Sequence, residues 1–450
     1  MILLKKFPLK SKVYIVLVLV LLVMSFAYKF KLVEDAKSTV AKDKNVGKSV
    51  VNVWLKDSPE AATRVNQIQK YNEQNKDNIF VQLKVGNEDY YNLLKTALAT
   101  TDKPDIFEYG YYELFRYNSI IDMNEFGLNI NKIGKDNFLY FKKKPMGVKL
   151  LGNNVKLVWN KEMLKGAGID PESQPKTLDE LLAYGIKIKK AYPNVIPFEF
   201  PAYTYGELKT SIGELSVNKG SIYTTFWDYK NGKYNFNYSK DVLETFSKMY
   251  SLGLIDKDFA NKNRAALRRD FSSEKTAMII STFEDKNFFD NVMPLDFSMG
   301  ISDLPKVDLK DPQNYYYTED FDCLVVNKYI NNEDKNKAAI KKVYQLFLNK
   351  QSNNQILASK KALPTFMENK AQKNDIYKDY NKDANFKNEL YDPTISINYN
   401  EALTKQLFYD AISGKQKVPD VIKQLNESYA KTQKSMIDNY SFDFSKFMEK

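Results

Sequence analysis

The sequence predicts a mixed α/β fold. Short apolar runs alternate with segments of helical periodicity over residues 50–109, which is typical of a mostly parallel sheet with helices packed against it. Hydrophobic residues make up 43% of the 450-residue chain, enough to build sizeable cores in two or three domains.

The first elements follow from the spacing of apolar residues. Strand-like runs cover residues 50–55, 79–85 and 105–109, and two helical segments, residues 61–72 and 89–100, separate them. Each helix has a predicted apolar face, formed by Val65, Ile68 and Tyr71 in the first and by Tyr91, Leu94 and Leu98 in the second. Because ligands bind outside the carboxyl ends of parallel strands, residues 56–58 and 108–112 form a candidate site.

Later elements are marked by local signals. Thr177 and Glu180 have the spacing of a capping box before a helix that runs to about residue 191. Asn231-Gly232 predicts a hairpin turn, and Gly253 closes a helix that begins at Ser239. The remaining predicted elements are strands at 155–160, 277–282 and 324–327 and helices at 332–355 and 401–439.

Composition excludes several classes of function. The chain has no histidine and a single cysteine, Cys323, which excludes a His-dependent triad and a His/Cys metal centre. We therefore expect no catalytic residues, no metal and no cofactor, and Cys323 is predicted to be a buried residue of a strand. The net charge of +11 comes mostly from lysines that are scattered among acids, which argues against nucleic-acid binding.

The N-terminus predicts export. Four lysines within residues 5–12 precede an apolar run at 13–27, the order found in a signal peptide or a signal anchor, and residues 1–30 are assigned to it. The lysines stay in the cytoplasm, so the rest of the chain lies outside. Either residues 13–30 remain in the membrane as a hydrophobic helix that anchors the protein at the extracellular face, or the chain is cleaved after Ala27 and secreted. Residues 31–48 are polar and form a linker, and the folded part is predicted to begin near Ser49.

Motifs along the rest of the chain resemble a known family. They are KPDIF at 103–107, IIDM at 120–123, VWNKEML at 158–164, AGID at 167–170, PKTLDEL at 175–181, FSSEKTAMII at 271–280, SDLP at 302–305, and residues 338–348 followed by Leu363-Pro364. In this order they are similar to the bacterial extracellular solute-binding proteins of ABC importers, the sugar-type family that includes maltose-binding proteins.

The resemblance implies a two-lobed fold, like that of periplasmic binding proteins, with discontinuous lobes joined by a hinge. The N-terminal lobe would comprise residues 49–157 and about 268–320, and the C-terminal lobe residues 158–267 and about 321–450. The lobes would close around a carbohydrate or another small solute. The closed monomer would then dock on the transmembrane subunits of an ABC permease.

Candidate ligand-binding residues come from strand ends and from the resemblance. Trp54 and Asp57 end the first strand, and Trp227, before the hairpin, is expected to face outward. The resemblance implies contacts at the remaining positions, which are Glu108, Tyr109, Tyr111, Tyr203, Tyr205, Phe283, Glu284, Asp320 and Asp322. At the last three of these positions many family members have other residues, so this sequence departs there from the family's usual sugar-stacking pocket.

The sequence leaves alternatives open. Carboxylates at Glu284, Asp320 and Asp322 would suit a peptide or another cationic solute. A surface glycan hydrolase that uses two carboxylates across a cleft also remains, although no motif fixes such a pair. A sensory or scaffold protein with the same fold is the third alternative.

Overall fold

A computed structural model describes the chain from residue 47 to residue 448. The positions left out within that range are 59, 87–88, 101–102, 110–118, 135–136, 142–143, 153–154, 217–225, 312–322, 330–333, 360–361, 365–392 and 394–400. The chain divides into two compact units. The first holds the described residues up to Glu108 together with Tyr329–Gln345, and the second holds the described residues of Tyr109–Lys328 and Leu346–Lys450.

The first unit has the parallel sheet that the sequence predicts. Strand β1 (Ser49–Lys56) pairs with β2 (Ile79–Gly86) on one side and with β3 (Ile106–Tyr109) on the other, and both pairings are parallel. Helices α1 (Ala61–Gln74) and α2 (Tyr90–Leu98) connect the three strands. The predicted order of strand and helix is therefore confirmed for this part of the chain.

The buried faces of α1 and α2 are rotated from the predicted ones. The buried positions are Ala61, Arg64 and Ile68 in α1 and Tyr90, Leu94 and Ala97 in α2. The other predicted face residues, Val65, Tyr71, Tyr91 and Leu98, are only half-buried. The difference arises because two residues with polar groups, Arg64 and Tyr90, are buried, whereas the apolar pattern predicted burial of their neighbours Val65 and Tyr91.

The second unit contains the remaining strands. They are β4 (Phe138–Phe141), β5 (Lys144–Val148), β6 (Leu151–Gly152), β7 (Val155–Asn160), β8 (Ile196–Glu199), β9 (Trp227–Asp228), β10 (Lys233–Tyr234), β11 (Thr276–Thr282), β12 (Met299–Ser302), β13 (Cys323–Val326) and β14 (Leu363–Pro364). Four of them form a sheet in the order β12-β7-β11-β8, in which only the β11–β8 pairing is parallel. Every residue of β7 and β11 is buried, so these two strands form the centre of the core.

Helices surround these strands. They are α3 (Met123–Phe126), α4 (Ile130–Ile133), α5 (Lys161–Gly166), α6 (Leu178–Ala191), α7 (Tyr205–Leu208), α8 (Glu214–Ser216), α9 (Lys240–Ser251), α10 (Arg264–Ser272), α11 (Phe283–Asn291), α13 (Lys350–Ala358), α14 (Glu401–Ile412) and α15 (Val418–Tyr440). Helix α12 (Asp334–Phe347) belongs mainly to the first unit, which holds it as far as Gln345. A π-helical turn, Lys209–Gly213, joins α7 to α8. Short 3₁₀ helices occupy Phe236–Ser239, Phe259–Asn261 and Phe444–Phe447.

The predicted cap of α6 is half correct. Thr177 Oγ1 accepts a hydrogen bond from Glu180 N at 3.2 Å, as a capping threonine does. The Glu180 carboxylate accepts from Lys176 N at 2.6 Å, one residue before the backbone N–H that a capping box would use.

The hairpin and the buried cysteine are both confirmed. Gly232 has a φ of +63°, which the tight turn between β9 and β10 requires. Cys323 is buried in β13, and its Sγ lies 3.1 Å from Tyr109 O. Gly147 faces this thiol, and a Cβ there would lie 2.6 Å from Cys323 Sγ, so β5 needs a glycine to approach β13.

Helices long and apolar enough to cross a membrane are absent from the described part of the chain. The predicted hydrophobic helix at residues 13–30 lies outside that part.

Candidate functional site

The carboxyl ends of β1 and β3 form a polar edge in the first unit. Lys56 N donates to Glu108 Oε2 at 2.7 Å, and Asp57 N donates to Gly86 O at 2.6 Å. Parallel pairing brings these strand ends together, as the sequence predicts for Lys56, Asp57 and Glu108. The Glu108 carboxylate therefore fixes the chain where it leaves β1.

Tyr90 bonds to the backbone of both strands at the same edge. Its hydroxyl lies 2.8 Å from Glu108 O and 3.2 Å from Trp54 O, so one buried phenol links the backbones of β1 and β3. Gly86 lies directly over the ring, and a Cβ at that position would overlap it. The close approach of β2 to Tyr90 therefore requires glycine.

Two aromatic rings at this edge lie close to lysine ammonium groups. Lys84 Nζ lies 3.9 Å from the ring centroid of half-buried Trp54, and Lys56 Nζ lies 5.5 Å from that of Tyr91. Cation–π attraction favours both arrangements. As a result, one face of the Trp54 indole is covered by a side chain of the protein itself.

Arg64 adds a buried charge. Burial lowers the pKa of its guanidinium to about 10, against the opposing attraction of Glu60 and Glu108. The group stays positively charged at neutral pH. Buried Glu60 and half-buried Glu108 supply the negative charge that balances it.

Tyr203 forms a second candidate site, in the second unit. Its side chain is 51% exposed, the largest exposure among the predicted aromatic residues that the structure describes. Its backbone N–H donates to Lys262 O at 3.2 Å, and its carbonyl accepts from Lys405 Nζ at 3.3 Å. An exposed ring on a backbone held from both sides is suited to stacking against a ligand.

The next residues are fixed by a capping box at the start of α7. Thr204 Oγ1 accepts from Glu207 N at 3.1 Å, and Glu207 Oε2 accepts from Thr204 N at 2.9 Å. The second oxygen of Glu207 accepts from Arg264 N at 2.9 Å. This carboxylate therefore ties the loop at Tyr203 to the start of α10.

A cluster of charged side chains surrounds Lys262, whose backbone carbonyl bonds to Tyr203 N. The ammonium contacts Glu199 at 3.2 Å, Asp256 at 3.0 Å, and Asp270. Burial alone would lower the pKa of Lys262, but hydrogen bonds and charges from these carboxylates, Asp270 foremost, raise the pKa above its ordinary value. The ammonium group of Lys262 thus lies between the three carboxylates. Among the described residues, no group of cysteine and acidic side chains is arranged to hold a metal ion.

Three predicted aromatic residues lie in the interior. Tyr109, Trp227 and Phe283 are at most 2% exposed. The expectation that Trp227 faces outward is wrong, because its Nε1 donates to Phe447 O at 2.8 Å and its ring packs edge-on against Tyr234. The C-terminal 3₁₀ helix covers this tryptophan.

The remaining predicted residues differ in position. Glu284 is 47% exposed and pairs with Arg268 Nη2 at 3.6 Å, while Tyr205 is half-buried and Asp57 is exposed. Tyr111, Asp320 and Asp322 lie outside the described residues. Of the described candidates outside the interior, Trp54, Asp57 and Glu108 thus lie at the β1–β3 edge of the first unit, and Tyr203 and Tyr205 lie close together in the chain in the second.

Sequence reasoning missed Tyr90 and Tyr409. Tyr409 Oη lies 2.6 Å from Ala202 O and 3.4 Å from Tyr203 O, although 207 and 206 residues separate it from them in the chain. Burial raises the pKa of Tyr409 to about 12, with Glu207 adding to the effect, so the phenol stays protonated. The apolar pattern assigned Tyr91, and not the adjacent Tyr90, to the buried face of α2, and α14 carries no local signal for Tyr409.

Polar groups at the carboxyl ends of parallel strands, as in the first unit, and an accessible aromatic ring, as in the second, are typical of sites that bind small solutes. The chain belongs to the family of bacterial extracellular solute-binding proteins, whose model matches residues 56–354.

Solved structures share the fold. The chain is similar to the cyclic α-maltosyl-1,6-maltose binding protein of Arthrobacter globiformis, with a TM-score of 0.69 and 15% identity over 86% of this chain and 100% of that one. It is also similar to the sugar-binding protein MalE of Xanthomonas citri, with a TM-score of 0.70 and 15% identity over 87% and 99% of the two chains. A Bacillus licheniformis sugar transporter in complex with stachyose gives a TM-score of 0.60 and 20% identity over 85% and 99%. The fold is therefore the two-lobed fold of these proteins.

A curated relative matches a shorter segment. A probable amino-acid ABC transporter periplasmic-binding protein of Sinorhizobium fredii is 47% identical over 45 residues. That segment covers only 10% of each protein, so the chain spans a small part of this relative's length.

Proposed function

We propose that this protein captures a carbohydrate, specifically an oligosaccharide, outside the cytoplasmic membrane and delivers it to the permease of an ABC importer. Family membership supports the general role, and the names of similar proteins, which refer to maltosyl-maltose and stachyose, support the solute class. The observation that carries the proposal is the exposed Tyr203 ring on a backbone fixed at both sides.

Sugar chemistry suits this arrangement. A pyranose has an apolar face that stacks on an aromatic ring and a rim of hydroxyls that bond to amides and carboxylates. In the second unit, Tyr203 supplies such a ring. In the first unit, exposed Asp57, which follows β1, is a candidate carboxylate for solute hydroxyls. The other predicted ligand residues remain candidates within this proposal.

The proposed cycle is closure of two discontinuous lobes about a hinge. The lobe ranges expected from the sequence, residues 49–157 with about 268–320 and residues 158–267 with about 321–450, would divide the β12-β7-β11-β8 sheet, so the boundary between the lobes is proposed to lie outside that sheet. Closure on the solute would create the form that docks on the permease. In this role the protein is a monomer and releases its solute chemically unchanged.

Residues 13–30 are proposed to direct the protein to the outer face of the cytoplasmic membrane. As an uncleaved anchor they would hold the protein at the outer face of the membrane, with residues 31–48 as a tether. Cleavage after Ala27 would release it. Comparing the gel mobility of the cellular protein with that of a chain starting at Tyr28 distinguishes the two forms.

An amino acid or a peptide is the second candidate solute. The segment shared with the Sinorhizobium fredii amino-acid transporter protein favours it. Both candidates are tested on the same preparation, because each predicts a melting shift with a different ligand panel.

The test measures the melting temperature of the full chain in mild detergent. The panels are malto-, xylo- and galacto-oligosaccharides and, separately, amino acids and short peptides. A ligand at a hundredfold excess over its dissociation constant adds about 2.7 kcal/mol to stability, so a specific solute raises the midpoint. Tyr203→Ala is expected to reduce the oligosaccharide shift, whereas the matched control Tyr440→Ala, an exposed tyrosine on α15, is expected to leave it unchanged.

The outcomes separate the proposals. A shift with peptides or amino acids but not with glycans would overturn the carbohydrate assignment. Release of shortened glycans, detected by chromatography, would show an enzyme instead. Equal effects of the two tyrosine substitutions would remove Tyr203 from the site.

A further inference from the structure

The phenol of Tyr409 approaches three backbone carbonyls, two in the loop before α7 and one in the 3₁₀ helix Phe259–Asn261. Its Oη lies 2.6 Å from Ala202 O, 3.3 Å from Ala260 O and 3.4 Å from Tyr203 O. A phenol carries one proton, so the strongest bond goes to Ala202 O, and the other carbonyls face the same polar hydrogen. The hydroxyl therefore fixes the peptide that immediately precedes Tyr203.

Lys405 acts from one turn earlier on the same helix face of α14. Its Nζ donates to Tyr203 O at 3.3 Å and lies 5.8 Å from the Tyr203 ring centroid and 5.9 Å from that of Tyr409. Residues four apart share one helix face, so both side chains reach the loop together. The exposed ring is thus joined to α14 through its own carbonyl.

The opposite side of the loop is fixed by separate groups. Lys262 O accepts from both Ala202 N at 2.9 Å and Tyr203 N at 3.2 Å. The next amide, Thr204 N, donates to the Glu207 carboxylate at 2.9 Å. Every peptide N–H from 202 to 204 is therefore bonded, yet the Tyr203 ring remains 51% exposed.

We infer that Tyr409, supported by Lys405, is a positioning residue that holds the Tyr203 ring ready to stack on the solute. The inference rests on the proposed function. Binding to a ring that is already ordered avoids the entropy cost of ordering a loop, so Tyr409 raises affinity without touching the solute.

The test is a double-mutant cycle on the full chain in mild detergent, with Tyr409→Phe, Tyr203→Ala and both together. Dissociation constants are measured by calorimetry for maltotetraose or stachyose, whichever gives the larger melting shift. Tyr409→Phe removes the hydroxyl and keeps the ring that packs edge-on against Phe259. It is expected to weaken binding about fivefold to tenfold in the parent chain and less than twofold when Tyr203 is alanine.

Tyr250→Phe is the matched control. Tyr250 packs edge-on against the same Phe259 ring, so this change removes a tyrosine hydroxyl nearby without altering the 202–204 loop. Its affinity is expected to equal that of the parent chain.

The outcomes distinguish the inference from the function on which it rests. An equal loss of affinity from Tyr409→Phe in both backgrounds would show a general structural effect and overturn the positioning role. Full affinity in Tyr203→Ala would remove the stacking site itself. If neither sugar binds the parent chain, both proposals fail for these sugars.

Discussion

Replacing Trp227 by phenylalanine is expected to destabilise the protein without changing its affinity for solute. Trp227 is completely buried, and its Nε1 donates to Phe447 O at 2.8 Å. Phenylalanine removes this donor from a buried carbonyl, which costs about 1–3 kcal/mol in free energy of unfolding. The smaller ring also loses contacts with Tyr234 and Phe444, which adds about 1 kcal/mol. The expected total is about 2–4 kcal/mol.

Urea unfolding measures this loss. With a slope of about 3 kcal/mol per molar urea, the midpoint should fall by roughly 1 M. Trp54→Phe is the control, because that indole is half-buried beneath Lys84, and its loss should cost less than about 1 kcal/mol. An unchanged midpoint for Trp227→Phe, or a loss of solute affinity at unchanged stability, would refute the reasoning.

Two further predictions concern stability. Burial raises the pKa of Asp105 to about 6, although Asn52 N donates a hydrogen bond to its carboxylate at 2.8 Å. Folding therefore favours the protonated carboxyl group. The free energy of unfolding that this preference contributes is lost as the pH rises from about 4 to 6. Asp105→Asn should raise the free energy of unfolding by about 1–2 kcal/mol at pH 7.5 and by almost nothing at pH 3.5, measured by urea unfolding. An equal gain at both pH values would contradict the link between the Asp105 pKa and stability. Gly300→Ala should cost about 1–3 kcal/mol because the new Cβ overlaps the Trp159 indole, whereas Gly206→Ala, with its nearest neighbour at 3.9 Å, should be neutral in the same assay.

Periodicity predicted the elements of the first unit because each strand and helix is set by nearby residues. It did not predict which face of a helix is buried. The apolar pattern favoured Tyr91, but Tyr90 is buried because its hydroxyl bonds to carbonyls of β1 and β3. Those partners lie 36 and 18 residues away, and no local pattern contains them.

The candidate site shows the same limit. Trp227 stands before a correctly predicted hairpin, and a tryptophan in that position suits a ligand platform. Its burial depends on the C-terminal segment, since Phe447 lies 220 residues further along the chain. Tyr203 was predicted through a family resemblance, but its support by Tyr409 comes from 206 residues away. Residue types indicate a site, whereas distant contacts decide which residues are accessible.

The described carboxylates bear on the choice between a neutral and a cationic solute. Glu108 accepts from Lys56 N at 2.7 Å, Glu207 accepts from two backbone amides, and Glu284 pairs with Arg268 at 3.6 Å. A cationic solute that used any of them would have to replace an existing partner, and unpairing a partly buried charge is costly. A sugar needs only an accessible ring and polar groups at its rim, and Tyr203 already supplies the ring. At these three carboxylates, the existing hydrogen bonds and ion pair therefore favour a neutral solute over a cationic one.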